Sequence, residues 1–352
     1  MSKRVTIDAE HQYDVHIGYN WKEELASSTS AYSRIVIVVS ESMSARLQPL
    51  PDLKSEVEVF EIPDGEAGKS AQTLESLWSV FGKFGVTRSD LVVAIGGGAT
   101  TDIVGFAAAT WLRGIDWIAI PTSLAGMVDA SVGGKTGMNS EFGKNLIGAF
   151  HSPQKVIIDL EWLETLSDRD FSAGLAEVVK CGFISDPRIL ELTDGYTVET
   201  LRRNSQTVED LISRAVSVKA TVVTEDFRES FAREVLNYGH TMGHAIELDS
   251  EYSLRHGEAV SIGMVFVAYL AQLRGLLSAD KVLRHKDLLE RLGLPTTYPR
   301  ERLSTLLPLL YRDKKTRGRI LRFIVLNDDK QVLRLEGVSE NEIAEAYGKI
   351  AT

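Results

Sequence analysis

Three histidines between Leu236 and Val260 are the residues of this chain best suited to metal chemistry. His240 and His244 are four residues apart, so on a helix their imidazoles would lie on one face, and His256 follows at the start of an apolar run. Imidazole nitrogen binds zinc and similar divalent ions, and a catalytic zinc takes three protein ligands and leaves one position open. The spacing favours a metal site completed by a group from elsewhere in the chain. The alternative is that these histidines bind no metal and lie on a helix surface, or are buried with their hydrogen bonds made within the protein.

A second informative feature is a run of three glycines, Gly96 to Gly98, between an apolar run and a stretch of small residues. The run Leu91–Ile95 is typical of a buried strand, and Thr101–Thr110 is predicted to form a helix. Glycines let the backbone turn sharply and approach a pyrophosphate, which the amides and dipole at the helix N-terminus would then hold. Because the spacing is not GxGxxG, a tight structural connection is the alternative, in which Asp102 only complements the helix dipole.

The segment from Met127 to Phe150 is predicted to be a glycine-rich loop that binds a phosphate-bearing ligand. It holds the tetrapeptide Gly133–Thr136, which is similar to the end of a Walker A loop but has the wrong first glycine and the wrong spacing. We therefore reject a nucleoside triphosphate site. Lys135, Lys144 and Asn145 lie on glycine-rich backbone and suit a phosphate, with solvated loop lysines as the alternative.

The elements that must position these residues follow an α/β pattern in the first half of the chain. Continuous apolar runs such as Ile35–Val39 alternate with helical stretches such as Ala71–Phe84, which is typical of a parallel sheet buried on both faces. Val156–Asp159 is predicted to be the last strand of this half, and the pattern then becomes mostly helical. The sequence predicts an α/β domain over residues 1–160 and a mostly helical domain over residues 161–352.

Composition bounds the class of protein. The 352 residues are 44% hydrophobic and carry a formal net charge of −10, which argues against nucleic acid as the partner of the whole surface. The N-terminus has no continuous apolar segment of the signal-peptide kind, and no uninterrupted apolar run reaches membrane-spanning length. We expect a cytoplasmic protein with no membrane partner. The single Cys181 excludes an intrachain disulfide.

The order of the motifs along nearly the whole chain resembles the 3-dehydroquinate synthases, within the sugar phosphate cyclases, and is most similar to their actinobacterial members. The motifs that carry this resemblance are PDGEAGK (63–69), GGGATTD (96–102), ATWLRG (109–114), DASVGGKTGMN (129–139), GKNLIGAF (143–150), GLAEVVK (174–180), LNYGHTMGHAIE (236–247), HGEAV (256–260) and RDKK (312–315). The resemblance implies a dinucleotide-binding α/β domain and a mostly helical metal- and substrate-binding domain. It also implies NAD and one divalent ion, zinc or cobalt, as cofactors, a phosphorylated keto-acid sugar as substrate, and a homodimer.

Position by position, the resemblance implies that Glu177, His240 and His256 are the metal ligands. His244 is then a proton-transfer or positioning group beside the substrate phosphate and not a ligand. The remaining implied substrate contacts are Lys219 and Arg233 for the carboxylate, Asp129, Lys180 and Asn237 for hydroxyls, and Lys135, Lys144, Asn145, Arg113 and Lys314, or its neighbour Lys315, for the phosphate. The implied NAD-binding residues are Asp64, Gly65, Glu66, Ala67, Gly68, Lys69, Gly98, Ala99, Thr100, Thr101, Asp102, Thr122, Ser123, Lys135, Lys144, Trp162, Leu163, Glu164 and Thr165.

Two departures from the family pattern lie on the cofactor side. Thr101 replaces a glycine of the common GGGVxGD motif, and Ser123 replaces a threonine of the common PTTL motif. The implied activity is conversion of 3-deoxy-D-arabino-heptulosonate 7-phosphate to 3-dehydroquinate and phosphate by transient oxidation, elimination, re-reduction and intramolecular aldol closure. The alternatives are another sugar phosphate cyclase and a metal-dependent polyol dehydrogenase of the same architecture.

Overall fold

The computed structural model describes residues 2–227, 232–317 and 321–352, without the side chains of residues 232 and 312–317. The chain divides into two compact units. One comprises Met1–Leu166 with Ile212–Arg228, and the other comprises Ser167–Leu211 with Glu229–Thr352. The division after Leu166 lies a few residues beyond the boundary predicted near residue 160, and a second division, between Leu211 and Ile212, falls within a helix. The domain boundary at residue 160 stays a prediction.

The first unit contains a sheet that is parallel except at one edge. Its order is β1-β2-β9-β6-β5-β3-β4, in which β1 and β2 are antiparallel and the other pairs are parallel. The strands of this unit are β1 (Lys3–Asp8), β2 (Gln12–Ile17), β3 (Arg34–Ser40), β4 (Glu56–Ile62), β5 (Leu91–Gly96), β6 (Asp116–Pro121), β7 (Lys135–Ser140), β8 (Gly143–Phe150) and β9 (Lys155–Ile158). The α/β prediction with a parallel sheet is confirmed.

Helices connect these strands as the periodicity predicts. Those before residue 167 are α1 (Trp21–Ser28), α2 (Glu41–Ser44), α3 (Ala71–Phe84) and α4 (Gly98–Thr110). Helix α3 has the predicted bounds because Ser70 accepts a hydrogen bond from the Thr73 amide at its start, and Gly85 ends it in a left-handed conformation. Its apolar stripe buries Leu74, Leu77 and Phe81.

The predicted loop from Met127 to Phe150 is partly wrong. After a helical turn at Gly126–Ala130, residues 135–150 form the antiparallel hairpin β7–β8. Strand patterns are recognised by alternation of buried and exposed positions. In β8 most residues are exposed, including Leu146 and Ile147, so the alternation that would have revealed the strand is missing.

The second unit is mostly helical, as predicted. From Ser167 onward the chain forms α5 (Asp168–Ile184), α6 (Pro187–Thr193), α7 (Val198–Arg202), α8 (Ser205–Glu225), α9 (His240–Asp249), α10 (His256–Leu273), α11 (Ala279–Arg291), α12 (Leu303–Arg317), α13 (Glu340–Ile350) and the hairpin of β10 (Arg322–Leu326) and β11 (Val332–Glu336). The part of α8 from Ile212 belongs to the first unit. By length and composition α10 could cross a membrane, yet 72% of it is buried, because it packs against α5, α9, α11 and α13 as the core helix of its unit.

Candidate metal centre and cofactor-binding turns

Three side chains from three helices of the second unit converge on one point. Helix α5 supplies Glu177, α9 begins with His240, and α10 begins with His256. One potential ligand atom from each lies within 4.8 Å of the others. Glu177 and His240 are buried, whereas His256 is partly exposed. The three residues that the resemblance implies as metal ligands therefore lie close together, and their role as ligands stays a prediction.

The two carboxylate oxygens of Glu177 have different surroundings. Oε2 accepts a hydrogen bond from the Lys180 ammonium in the next turn of α5. Oε1 lies 3.3 Å from His256 Nε2 and 3.6 Å from His240 Nε2, yet it has no well-formed hydrogen bond within the described chain. A buried carboxylate oxygen facing two imidazole nitrogens fits a divalent cation, since carboxylate oxygen and imidazole nitrogen are both zinc ligands.

Charge in this cluster also favours cation binding. Burial alone would raise the pKa of Glu177, but the Lys180 charge and the two imidazoles hold that pKa well below its usual range. Burial and the Lys180 charge lower the pKa of His240 well below its usual value, so this ring is neutral. Burial opposes protonation of His256, but the nearby carboxylates of Glu177 and Glu247 raise its pKa to about 10. A cation at this point would therefore compete with the His256 proton.

Hydrogen bonds on the far side of each ring direct the Nε2 atoms toward Glu177. His240 Nδ1 lies 3.1 Å from the carbonyl oxygen of Tyr238, and His256 Nδ1 lies 3.0 Å from Oε2 of Glu247. When Nδ1 carries the proton, Nε2 presents its lone pair to the centre of the cluster. Such partners are the usual orienting groups of metal-bound histidine.

A second combination of residues satisfies the same distance criterion, namely His244, Glu247 and His256. His244 is exposed, and its ring centroid lies 5.4 Å from that of His240 and 5.9 Å from that of His256. Because Glu247 already bonds to His256 Nδ1, the geometry favours the cluster around Glu177 and leaves His244 beside it.

Two glycines allow the helices that carry these residues to approach one another. Gly239 precedes His240 with φ of +79°, and a Cβ atom there would lie 2.8 Å from the Val260 carbonyl oxygen of α10. Gly257 follows His256, and its Cβ atom would lie 1.8 Å from the Ala173 carbonyl oxygen of α5. Each glycine is therefore required by a close approach between helix backbones.

We expect Gly257→Ala to destabilise the protein by about 1–3 kcal/mol, the usual cost of overpacking a core, because α5 and α10 must separate. Chemical denaturation measures this loss. The matched control is Gly348→Ala in α13, where a Cβ atom meets no described atom within 4 Å. This control should be neutral or slightly stabilising, since alanine favours helix. Equal stability of Gly257→Ala and the wild type would contradict the close packing.

A buried histidine, His285, lies next to Tyr238. His285 stacks on Phe183 with ring centroids 3.8 Å apart, its Nδ1 lies 2.7 Å from the Lys281 carbonyl oxygen, and its Nε2 lies 3.0 Å from the Tyr238 hydroxyl. One neutral tautomer satisfies both bonds, with Nδ1 donating and Nε2 accepting. Burial lowers the pKa of His285 to about 4.

We expect His285→Gln to flatten the pH dependence of stability. The folded pKa of about 4 lies below the ordinary value of 6.5, so the unfolded chain takes up this proton first as the pH falls. Between about pH 7 and about pH 5, the free energy of unfolding should decrease by roughly 2 kcal/mol more in the wild type than in the variant. Urea unfolding at both pH values measures the difference. The same pH dependence in both proteins would contradict a neutral buried His285.

In the first unit, the implied NAD-binding segments lie at one edge of the sheet. They follow the carboxyl ends of four parallel strands, with residues 64–69 after β4, residues 98–102 after β5, residues 122–123 after β6 and residues 162–165 after β9. Strands β4 and β5 lie on opposite sides of β3, so the glycine turn after β5 lies at the point where the strand order reverses. Ligands of open α/β sheets bind at this edge and at such a point.

The glycine turn leads directly into α4, which begins at Gly98, earlier than the predicted helix. No side chain caps the start of α4, so its first amides are available to an anion. Thr101, which departs from the family pattern, is buried and bonds through its hydroxyl to the Gly98 carbonyl oxygen. Ser123, the other departure, accepts a hydrogen bond from the Gly126 amide. Both substitutions are therefore accommodated within their own turns.

A buried lysine links the cofactor-side turns to the hairpin. Lys69 donates to Asp102 Oδ2 at 2.6 Å and to the Asn145 side chain. Burial raises the pKa of Asp102, although Lys69 opposes this shift. Lys144 Nζ lies 3.5 Å from Glu66 Oε1. Lys69 therefore contacts both Asp102, which the resemblance assigns to NAD, and Asn145, which the resemblance assigns to the phosphate.

The other predicted substrate residues are placed as follows. Lys219 in α8 is buried and donates to both the carbonyl and the carboxylate of Asp129, with Nζ 2.5 Å from Oδ1. Arg233 is buried and Asn237 partly buried in the helical segment Ala232–Asn237 that precedes α9. Lys135 and Arg113 are exposed in the first unit. The side chains of Lys314 and Lys315 lie outside the described residues.

Sequence reasoning missed Glu247 and Tyr238 as neighbours of the metal ligands. Glu247 lies seven residues after His240, so the helix places both on one face. This i, i+7 spacing with a carboxylate was the signal available in the sequence. The bond from His240 to the Tyr238 carbonyl leaves no sequence signal, because every residue has a carbonyl.

The α/β unit with its glycine turn and the helical unit with its histidine and glutamate cluster are those of a sugar phosphate cyclase fold. A 2-epi-5-epi-valiolone synthase from Streptomyces hygroscopicus subsp. jinggangensis, solved with NAD⁺ and Zn²⁺ bound, has a TM-score of 0.89 at 28% identity, with 99% of each chain covered. A 2-deoxy-scyllo-inosose synthase complexed with carbaglucose-6-phosphate, NAD⁺ and Co²⁺ has a TM-score of 0.85 at 24% identity over 99% of each chain. At this identity the similarity establishes the fold and not the activity.

Sequence comparison is more specific. Residues 59–173 match the N-terminal profile and residues 174–316 match the C-terminal profile of 3-dehydroquinate synthase. The 3-dehydroquinate synthase of Paenarthrobacter aurescens is 48% identical over 97% of this chain and 95% of that protein. The chain belongs to the 3-dehydroquinate synthase family.

Proposed function

We propose that this protein is a 3-dehydroquinate synthase, a lyase of the shikimate pathway that serves aromatic amino acid biosynthesis. It converts 3-deoxy-D-arabino-heptulosonate 7-phosphate to 3-dehydroquinate and phosphate. The observation that carries the proposal is Glu177 Oε1, buried between the Nε2 atoms of His240 and His256 in a chain of this family. Such a three-ligand cluster leaves a coordination position open for substrate oxygen.

Two cofactors supply chemistry that side chains lack. Glu177, His240 and His256 would hold a zinc or cobalt ion, which would supply Lewis-acid polarisation of substrate hydroxyls, and the turns after β4, β5, β6 and β9 would hold NAD, which would supply reversible hydride transfer. The buried Lys180 ammonium holds Glu177 ionised and oriented, so the carboxylate is ready to bind a cation. Lys180 and Asn237, with Asp129 in the first unit, bind hydroxyls of the substrate.

Different sets of side chains bind the two anionic ends of the substrate. Arg233 and Lys219 hold the carboxylate, where the planar guanidinium of Arg233 matches the planar anion. Lys219 donates to Asp129 within the first unit, and an ammonium has three donors with which it can bind more than one group. Lys135, Lys144, Asn145, Arg113 and Lys314 or Lys315 hold the phosphate. His244 moves the proton where the phosphate leaves.

The two alternatives predict different products. Another sugar phosphate cyclase would not need Arg233 and Lys219, because its substrate has no carboxylate. A polyol dehydrogenase would not need Lys135, Lys144 and Asn145, and it would release NADH. Incubation with the heptulosonate phosphate, with phosphate and NADH absorbance followed together, separates these activities. We expect phosphate release without accumulation of NADH, whereas equimolar NADH would establish the dehydrogenase and overturn the proposal.

The assembly and location follow from the same proposal. Arg113 occupies the position that reaches the phosphate site of the neighbouring subunit in the family, so we propose a homodimer that acts in the cytoplasm. Arg113 is exposed in the first unit, so its guanidinium is accessible to a second subunit. Light scattering of the active protein should give the mass of a dimer. A monomer with full specific activity would contradict this assembly.

A further inference from the structure

We propose that Glu247 is a positioning residue for the metal centre, which it serves by holding the imidazole of His256 toward Glu177. This inference rests on the proposed metal-dependent function and gives a role to Glu247, the last residue of the motif LNYGHTMGHAIE, which is neither a metal ligand nor an implied substrate contact. Glu247 does not contact the metal in this proposal. It acts through His256.

The geometry distinguishes the two histidine ligands. His240 is confined by packing, with a side chain only 11% exposed, and a backbone carbonyl is sufficient to fix its ring. The His256 side chain is 37% exposed and belongs to the first residue of α10, so packing leaves its ring freer to rotate. Its Nδ1 atom lies 3.0 Å from Glu247 Oε2, and its Nε2 atom lies 3.3 Å from Glu177 Oε1. His256, the more exposed ligand, therefore needs a side chain that holds its ring in place.

The position of Glu247 allows it to hold the His256 ring. Its side chain is only 7% exposed on the face of α9 that also carries His240. A carboxylate that accepts the Nδ1 proton fixes the tautomer with Nε2 unprotonated and strengthens Nε2 as a donor to a cation. Removal of such an outer partner usually weakens metal binding about 10- to 100-fold.

Cobalt binding provides the test, because its visible absorption reports both affinity and coordination apart from catalysis. The full chain is freed of metal by a chelator and titrated with Co²⁺. We expect Glu247→Ala to bind Co²⁺ about 10- to 100-fold more weakly than the wild type. Glu247→Gln should lose less than about tenfold, since its amide oxygen still accepts the Nδ1 proton.

Asp249→Asn is the matched control. Asp249 lies on the same helix, its side chain is 2% exposed, and it pairs with Arg302 at 2.7 Å, away from the cluster. This variant should lose stability but keep the wild-type affinity for Co²⁺. If Glu247→Ala does not fold, Glu247→Gln decides, with a two- to tenfold loss expected if the charge of Glu247 supports His256.

Each contrary result has a distinct meaning. Wild-type affinity in Glu247→Ala, or in Glu247→Gln where that variant decides, would overturn the positioning role while leaving the metal site intact. Loss of Co²⁺ binding in Glu247→Gln as complete as in His256→Ala, with an altered spectrum, would make Glu247 a ligand and also overturn it. A wild-type protein that binds no Co²⁺, or whose binding survives His256→Ala, would instead overturn the proposed function.

Discussion

Replacing His256 with alanine is expected to remove the bound divalent ion and to lower the rate of phosphate release about a thousandfold or more. Only Glu177 and His240 would remain at the cluster, one ligand fewer than the three that hold a catalytic zinc ion. The polarisation that a metal gives to substrate oxygen is worth several kcal/mol, and about 4 kcal/mol corresponds to a thousandfold in rate.

Elemental analysis and phosphate release, measured on the same sample, test this expectation. His11→Ala is the control, because His11 lies in the first unit with Nε2 3.2 Å from the Pro153 carbonyl oxygen, and this variant should keep both metal and activity. NAD binding should survive in both variants, since the turns after β4, β5, β6 and β9 are untouched. Full activity in His256→Ala would refute the metal assignment.

Replacing His244 with alanine is expected to lower kcat about a hundredfold or more while metal and NAD remain bound. His244 is exposed next to the cluster on the face of α9 that carries His240, and Glu177 and the two other histidines are complete without it. General acid–base groups typically contribute about 10²- to 10⁴-fold. A group that acts only as the phosphate leaves should change kcat and kcat/KM together.

Steady-state kinetics and metal content distinguish this role from that of a ligand. Arg233→Lys is the matched comparison, since it alters a contact present throughout turnover and should mainly raise KM. Loss of metal in His244→Ala would mean that the simple i, i+4 histidine pair is the ligand set.

Local patterns in the sequence were sufficient for much of the fold. The bounds of α3 could be predicted because Ser70 caps it, Gly85 ends it and its apolar stripe repeats with the helical period. Strand β5 was predictable since a continuous apolar run is buried on both faces. The start of α4 was predicted too late, because three consecutive glycines are typical of a turn.

The site required more than pattern. From spacing alone, His240 and His244 looked like the ligand pair, since the sequence does not show that Glu177 on α5 meets His240 and His256. The resemblance to a family supplied that third group. Contacts between distant residues, such as the pairing of Lys219 with Asp129, depend on how the chain folds back and leave no periodic signal.

The central claim is that hydride leaves and returns on one substrate molecule while phosphate is lost. The most direct measurement uses heptulosonate phosphate carrying deuterium at the carbon that is oxidised. We expect one phosphate released per carbocyclic 3-dehydroquinate formed, with the deuterium retained in that product and no accumulation of NADH. Deuterium found in free NADH, or phosphate released without a carbocycle, would contradict it.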